Sequence, residues 1–379
     1  MINDNINIAV PTPGEFIKEE LEAREWTQGD LAYVLGISPQ NLHAILAGKR
    51  GISSDMAKAL GKAFDVSAAF FTNLQAAYDL SVATDPDPSI EHRARLQDHF
   101  PVREMIKRGW IDDGLDSSLL EEQMMRFFRV KDYESIPYLQ HAAKKTSAYE
   151  DRKIPPVQLA WLFRVYQIAG CLEVPRYSQA KLQNALSDLH ALMSEPEEIR
   201  QVPRILNECG IRLVFVEALP QAKIDGVCCW LDKHSPVIGM SLRFDRIDNF
   251  WFVLRHEIEH VLNKDGQGEG REILDDLETL EDDASIPEEE QRANLAAQEF
   301  SVPRDKLVGF IVRKHPYFAE QDIAGFARVL GVHIGIVIGQ IHSYTRNFKL
   351  LRKHLVKVRQ FVITGGIVDG WGEVFPISL

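Results

Sequence analysis

His256 and His260 stand four positions apart with Glu257 beside the first, in the run His256-Glu257-Ile258-Glu259-His260. On a helix that spacing puts both imidazoles on one face, where they can share a Zn²⁺ ion while the adjacent carboxylate takes a proton from water. The pattern names a reaction class, metal-assisted hydrolysis, and no substrate. Such a site needs a third protein ligand if one coordination position is to stay open. Glu290 answers that need on a second helical stretch, Glu288 to Ala297, and Asn294, four residues on, is placed to orient a ligating histidine. The plainer readings are a charged helix whose histidines do nothing and a glutamate run that opens a solvated helix.

A second set of residues has the chemistry of DNA recognition. Gln40 and Asn41 carry amides suited to adenine edges, His43 shares their outward face, and Gln28, Lys49 and Arg50 are placed to hold phosphates. The elements that must present them are clearly punctuated. Pro13 opens a first amphipathic helix through Phe16, Ile17 and Leu21. Thr27 suits the N-cap of a second, Gly36 its left-handed close, and Ser38-Pro39 the start of a third with Leu42, Ile45 and Leu46 inward. Two short helices around a glycine turn make a helix-turn-helix, whose second helix enters the major groove. A plain helical bundle satisfies the same periodicity.

The supports of the metal pattern are of another kind. IRLVFVE, DGVCCWLD and PVIGMSL read as three strands of one sheet. A helix after Phe244-Asp245-Arg246 lays Phe250, Val253, Leu254, Ile258, Val261 and Leu262 on that sheet and leaves Glu259 to solvent or a neighbour. Lys264 to Pro287 is acidic and reads as a surface loop. His315, Tyr317, His333, His342 and Tyr344 are oxyanion donors by type only. Ile323 to Gln340 reads as helix, turn and helix. The basic stretch Arg346, Lys349, Arg352, Lys353, Lys357 and Arg359 reads as a helix face. The apolar tail either completes its own sheet or, more sharply, lays Trp371 to Leu379 near the metal cleft.

Asp85-Pro86-Asp87-Pro88-Ser89 breaks the first half, with a boundary placed near residue 81. Four divisions follow: 1–80 helix-turn-helix, 81–201 an α-helical connecting and dimerisation region, 202–345 the metal domain, and 346–379 a basic helix with a β-like tail. Aromatic residues such as Phe127, Phe128, Trp161 and Phe163 in the second are core or interface. With 379 residues, 45% hydrophobic and a formal charge of −12, the chain builds several cores and is a poor sequence-blind binder of nucleic acid. No run suits a bilayer and the amino terminus lacks a signal peptide, so the expected place is the cytoplasm. Cys171, Cys209, Cys228 and Cys229 show no CxxC spacing and read as reduced core residues, a vicinal redox pair being the alternative.

Two resemblances add to this. The segment from Trp26 to Leu80, WTQGDLAYVLGISPQNLHAILAGKRGISSDMAKALGKAFDVSAAFFTNLQAAYDL, resembles the Xre-type DNA-binding domain of HigA-like antitoxins. That implies a dimeric repressor of an operator beside a toxin gene. DGVCCWLD, PVIGMSLRFDRIDNFWFVLRHEIEHVL, the E-x-x-A-N element and the following VP resemble the ImmA/IrrE metallopeptidases over roughly Val202 to His342. This resemblance implies a zincin-like α+β fold, Zn²⁺ on His256, His260 and Glu290, and Glu257 as general base. Arg292 departs from it where a second acid is common, and Ala296 where an aromatic is usual. The expected protein is a multidomain DNA-binding, antitoxin-like regulator whose zinc peptidase cleaves a regulatory protein or itself. The alternative is a non-catalytic antitoxin whose zinc domain is a sensor or toxin-docking surface.

Overall fold

The structure, a computed structural model, describes residues 10–113, 117–131, 155–267, 273–275 and 287–377. The chain divides into two compact units, Met1–Pro88 and Ser89–Leu379. The division falls inside the Asp-Pro repeat, where each proline disfavours helix in the residue before it, and a few residues beyond the boundary expected near 81.

In the first unit, α1 (Pro13–Ala23), α2 (Gln28–Leu35), α3 (Pro39–Leu46), α4 (Ser54–Phe64) and α5 (Ala68–Val82) enclose Ile17, Leu21, Leu31, Leu42, Ile45, Leu60, Phe64 and Phe71. The predicted caps are present. Thr12 and Thr27 each form a capping box, with Glu15 and Asp30, and Ser38 accepts from the Asn41 N–H. Gly36 adopts φ +66°, the left-handed turn that joins α2 to α3.

The second unit is built on a mixed sheet of β1 (Arg212–Val216), β2 (Gly226–Trp230), β3 (Pro236–Met240), β4 (Ile273–Asp275) and β5 (Ile367–Asp369), in the order β4-β2-β3-β1-β5. β1 runs parallel to β3 and β5, while β2 runs antiparallel to β3 and β4. Strand residues alternate between two cores. Val214, Val216, Val227, Cys229 and Val237 face one side, where α6 (Ser89–His99), α7 (Val102–Lys107), α8 (Ser117–Phe128) and α9 (Pro156–Gly170) bury Phe127, Phe128 and Trp161. Leu213, Phe215, Cys228, Ile238 and Met240 face the other side. There they meet α10 (Gln179–Ala191), α11 (Val202–Glu208), α12 (Ile247–Asn263), α13 (Glu288–Ser301), α14 (Arg304–Lys314), α15 (Glu320–Leu330) and α16 (Ile334–Thr345).

Two expectations change accordingly, and one alternative falls. The stretch 81–201 is not a connecting region of its own, because α6 to α9 cover one face of the sheet and α10 packs on the other, each sharing a core with it. Cys228 and Cys229 are buried thiols, and as neighbours on a strand they point to opposite faces, so they form no vicinal pair. The basic stretch is not a helix face. It holds only a 3₁₀ turn at Arg352–His354 before the short α17 (Arg359–Gly365), started by two backbone N–H donations to Asp245 Oδ1 from Val358 and Arg359 at 3.0 and 2.8 Å.

The tail completes its own sheet, as the simpler reading held, and does so away from the metal pattern. β5 adds to β1 at the edge opposite β4. Asp369 is buried there and accepts from Trp110 Nε1 at 2.8 Å, Arg164 Nε at 2.9 Å and the Phe375 N–H at 3.1 Å. Phe375 and Ile377 pack on the α9 side. Trp371 meets Arg359, its ring centroid 5.0 Å from the guanidinium, and its backbone N–H donates to Glu217 Oε2. Among the described residues no single helix is long and apolar enough to cross a membrane.

Candidate metal centre and nucleic-acid interface

α12 packs on β2 and β3 through Phe250, Val253, Leu254, Ile258 and Val261, with Leu262 half-buried at the margin. Its helical period turns His256 and His260 off that apolar stripe, yet both are fully buried because α13 lies against the same helix. Pro287 and three acids open α13, a favourable start for the helix dipole. Of the three glutamates only Glu290 is buried, in line with Ala293, Ala297 and Ser301. The face that buries small residues therefore delivers one carboxylate to the two imidazoles.

The ligand atoms converge. His256 Nε2 lies 3.1 Å from His260 Nε2 and 3.2 Å from Glu290 Oε2, and His260 Nε2 lies 3.5 Å from Glu290 Oε1. All three groups offer ligand atoms within 4.8 Å of one another. Bonds of about 2.0–2.1 Å from a tetrahedral ion give ligand edges of roughly 3.3 Å, so the trio fits Zn²⁺ in spacing and in donor type. Two imidazole nitrogens and a carboxylate oxygen turned toward one point, shut from solvent, are what a cation would compensate.

Glu257 is also fully buried, and its carboxylate lies against the first residue of β2. A Cβ at Gly226 would overlap Glu257 Oε1, so the glycine makes room for that carboxylate. The sequence pattern did not mark Gly226; the signal was the glycine heading an otherwise apolar strand. Glu259 turns to a neighbour and accepts from Arg255 Nη2 at 2.8 Å.

The histidine partner differs from the expected one. Among the described residues Asn294 makes no hydrogen bond to either histidine; it sits half-buried one turn past Glu290. Asp265 does that work: its Oδ2 lies 3.1 Å from His260 Nδ1 and accepts from Arg292 Nη2 at 2.7 Å. Its carboxyl is held below the usual range: burial opposes ionisation, but the hydrogen bonds and charges of His260 and Arg292 outweigh it. Asp265 could be found in sequence only by continuing α12 through Lys264, whose left-handed cap folds the chain back on His260.

The oxyanion candidates scatter. His333 caps α16 by accepting the Gly335 N–H, and His342 Nε2 bonds the Leu350 carbonyl at 2.6 Å. Tyr317 and Tyr344 are exposed, and His315 sits beyond α14. In the first unit every proposed DNA-contacting residue, Gln28, Gln40, Asn41, His43, Lys49 and Arg50, is exposed, and the last five follow one another along α3 and its exit. That leaves polar and basic tips free above a buried Leu42-Ile45-Leu46 stripe.

Residues 17–71 match the HTH_3 family, described as helix-turn-helix. Virulence-associated protein I of Dichelobacter nodosus is 37% identical over 79 residues, which cover 21% of this chain and 73% of that protein. The chain belongs to the helix-turn-helix family. Its first unit is thus a DNA-binding helix-turn-helix domain. Among solved structures, a HigA-family addiction-module antidote protein from Coxiella burnetii is 32% identical, covering 24% of this chain and 95% of its own, with a TM-score of 0.20. The Pseudomonas aeruginosa antitoxin HigA, solved with the higBA promoter, is 33% identical over 24% of this chain and 95% of its own, with a TM-score of 0.19.

Proposed function

We propose that this protein is an antitoxin-like transcriptional regulator that binds operator DNA as a homodimer and carries, in its second unit, a zinc peptidase of the ImmA/IrrE kind. The observation that supports the enzyme is the buried convergence of His256, His260 and Glu290 at tetrahedral edge lengths, with Glu257 seated beside them. Zn²⁺, when bound, polarises a carbonyl and lowers the pKa of water. The chain's own groups do the rest. His256 and His260 present Nε2, Glu290 supplies the anionic ligand, and burial keeps the local dielectric low. Glu257 takes a proton from the attacking water and passes it to the leaving amine nitrogen. The substrate is a protein, either a partner regulator or this chain. The exposed Gln40-Asn41-His43 edge reads bases, Gln28, Lys49 and Arg50 hold phosphates, and a toxin encoded beside the operator is the cognate partner.

Glu257→Gln is the deciding variant. It keeps one zinc per chain and full operator affinity while cleavage of purified protein substrate, including the chain itself, falls at least a hundredfold. A reporter driven by the promoter of this reading frame should lose its regulated response in the same variant. If the response persists undiminished, the domain is a non-catalytic sensor or toxin-docking surface.

A further inference from the structure

Arg292 lies two residues beyond Glu290 on α13, so the helix that supplies the carboxylate ligand also carries a guanidinium into the surroundings of His260. Its Nη2 donates to Asp265 Oδ2, and the same oxygen faces His260 Nδ1. The main chain of Asp265 is fastened as firmly. Its N–H donates to the His260 carbonyl at 2.9 Å, and its carbonyl accepts from Trp230 Nε1 at 2.9 Å. Strand β2, the end of α12 and the start of α13 are thereby tied at one aspartate.

We propose that Arg292 and Asp265 form a positioning pair that fixes the His260 ring with its Nδ1–H on the carboxylate and its Nε2 lone pair toward Glu290. The inference rests on the zinc reading of this site. A carboxylate partner on the far ring nitrogen selects the tautomer, holds the ring plane and raises the basicity of the ligating nitrogen. Asp265 alone could rotate between His260 and solvent. Arg292 occupies the second direction on that carboxylate and removes the freedom. A basic residue at this position thus tightens the histidine through its neighbour and leaves the three ligand groups unchanged.

The test is zinc affinity, measured with Zn²⁺ alone by competition against a fluorescent chelator, together with ¹⁵N-histidine NMR of the metal-free protein. Arg292→Ala should weaken zinc binding by about 10- to 100-fold, Arg292→Lys should restore part of it, and Asp265→Ala should weaken it at least as much as Arg292→Ala. In metal-free wild type the His260 Nδ1 proton should give a resolved, hydrogen-bonded resonance that is lost in Asp265→Ala and broadened in Arg292→Ala. Arg292 is partly exposed, so its removal leaves the core intact. Unchanged zinc affinity and an unchanged His260 resonance in Arg292→Ala would overturn the pair while leaving the zinc reading standing. A wild-type protein that takes up no zinc would remove the reading and this inference together.

Discussion

The two candidate functional regions of this chain place their chemistry in opposite ways. In the helix-turn-helix unit the side chains proposed to meet DNA run along one short segment, Gln28 to Arg50, and all are exposed. In the second unit His256, Glu257, His260 and Glu290 are buried, come from two helices, and depend on Gly226 and Asp265 from two further segments. A reader of DNA must offer polar tips to a groove, so a local cap and a local apolar stripe suffice to aim them. A metal site must bring charged groups out of water, which is tolerable only when several elements enclose and pair them.

If that contrast is right, the largest effect belongs to the buried trio. Glu290→Ala or His256→Ala should abolish retention of one zinc per chain, read by elemental analysis after desalting, and leave operator binding unchanged. Loss of DNA affinity in either would break the separation. Next comes the tail anchor: Asp369→Ala leaves Arg164 buried without its carboxylate and should destabilise the second unit by about 3–5 kcal/mol. Calorimetry should show only the second-unit transition moving. Gln40→Ala and Asn41→Ala should each cost about 1–3 kcal/mol against a preferred operator and little against random DNA. Lys49→Ala should instead weaken both and lower the salt slope by about one. Thr27→Ala removes a local cap and should cost the first unit about 1 kcal/mol.

The smallest effect is a pH dependence confined to the second unit. Burial holds His190, His333 and His342 below their ordinary value of 6.5, and the unfolded chain restores it. Below that value the unfolded state binds more protons, so this contribution to stability is present above about pH 6.5 and is lost as pH falls from there through the lowered folded-state values. Melting between pH 7.5 and 5 should lower the second transition more than the first. His333→Ser, which keeps an N-cap and cannot titrate, should flatten the fall.

The contrast also explains what could be read in advance. Thr27, Gly36, Ser38 and Pro39 act within a few residues of themselves, so the first unit was legible nearly to its caps. The His256-His260 face and the three main strands were legible for the same reason, since their periods are local. Glu290 was reached by its place on the second helix together with the resemblance, since spacing alone leaves a solvated helix start open. Asn294 in place of Asp265 was the error, because orientation of a histidine depends on where the chain returns after a helix and not on spacing along the next one. The helical stretch 81–201 was misjudged as a spacer because amphipathic periodicity shows that a face is buried and does not show against what.

By itself, the sequence determined the helix-turn-helix, the exposure of its candidate contact residues, the paired histidines on one helix and the alternation of the strands, all consequences of backbone periodicity and capping. Only the tertiary structure decided that Glu290 of the three glutamates turns inward, that Gly226 gives way to Glu257, that Asp265 and Arg292 attend His260, and that the tail closes the sheet at the edge away from β4. Each of those depends on atoms distant in sequence meeting at fixed separations, which is set by how layers pack on both faces of the sheet.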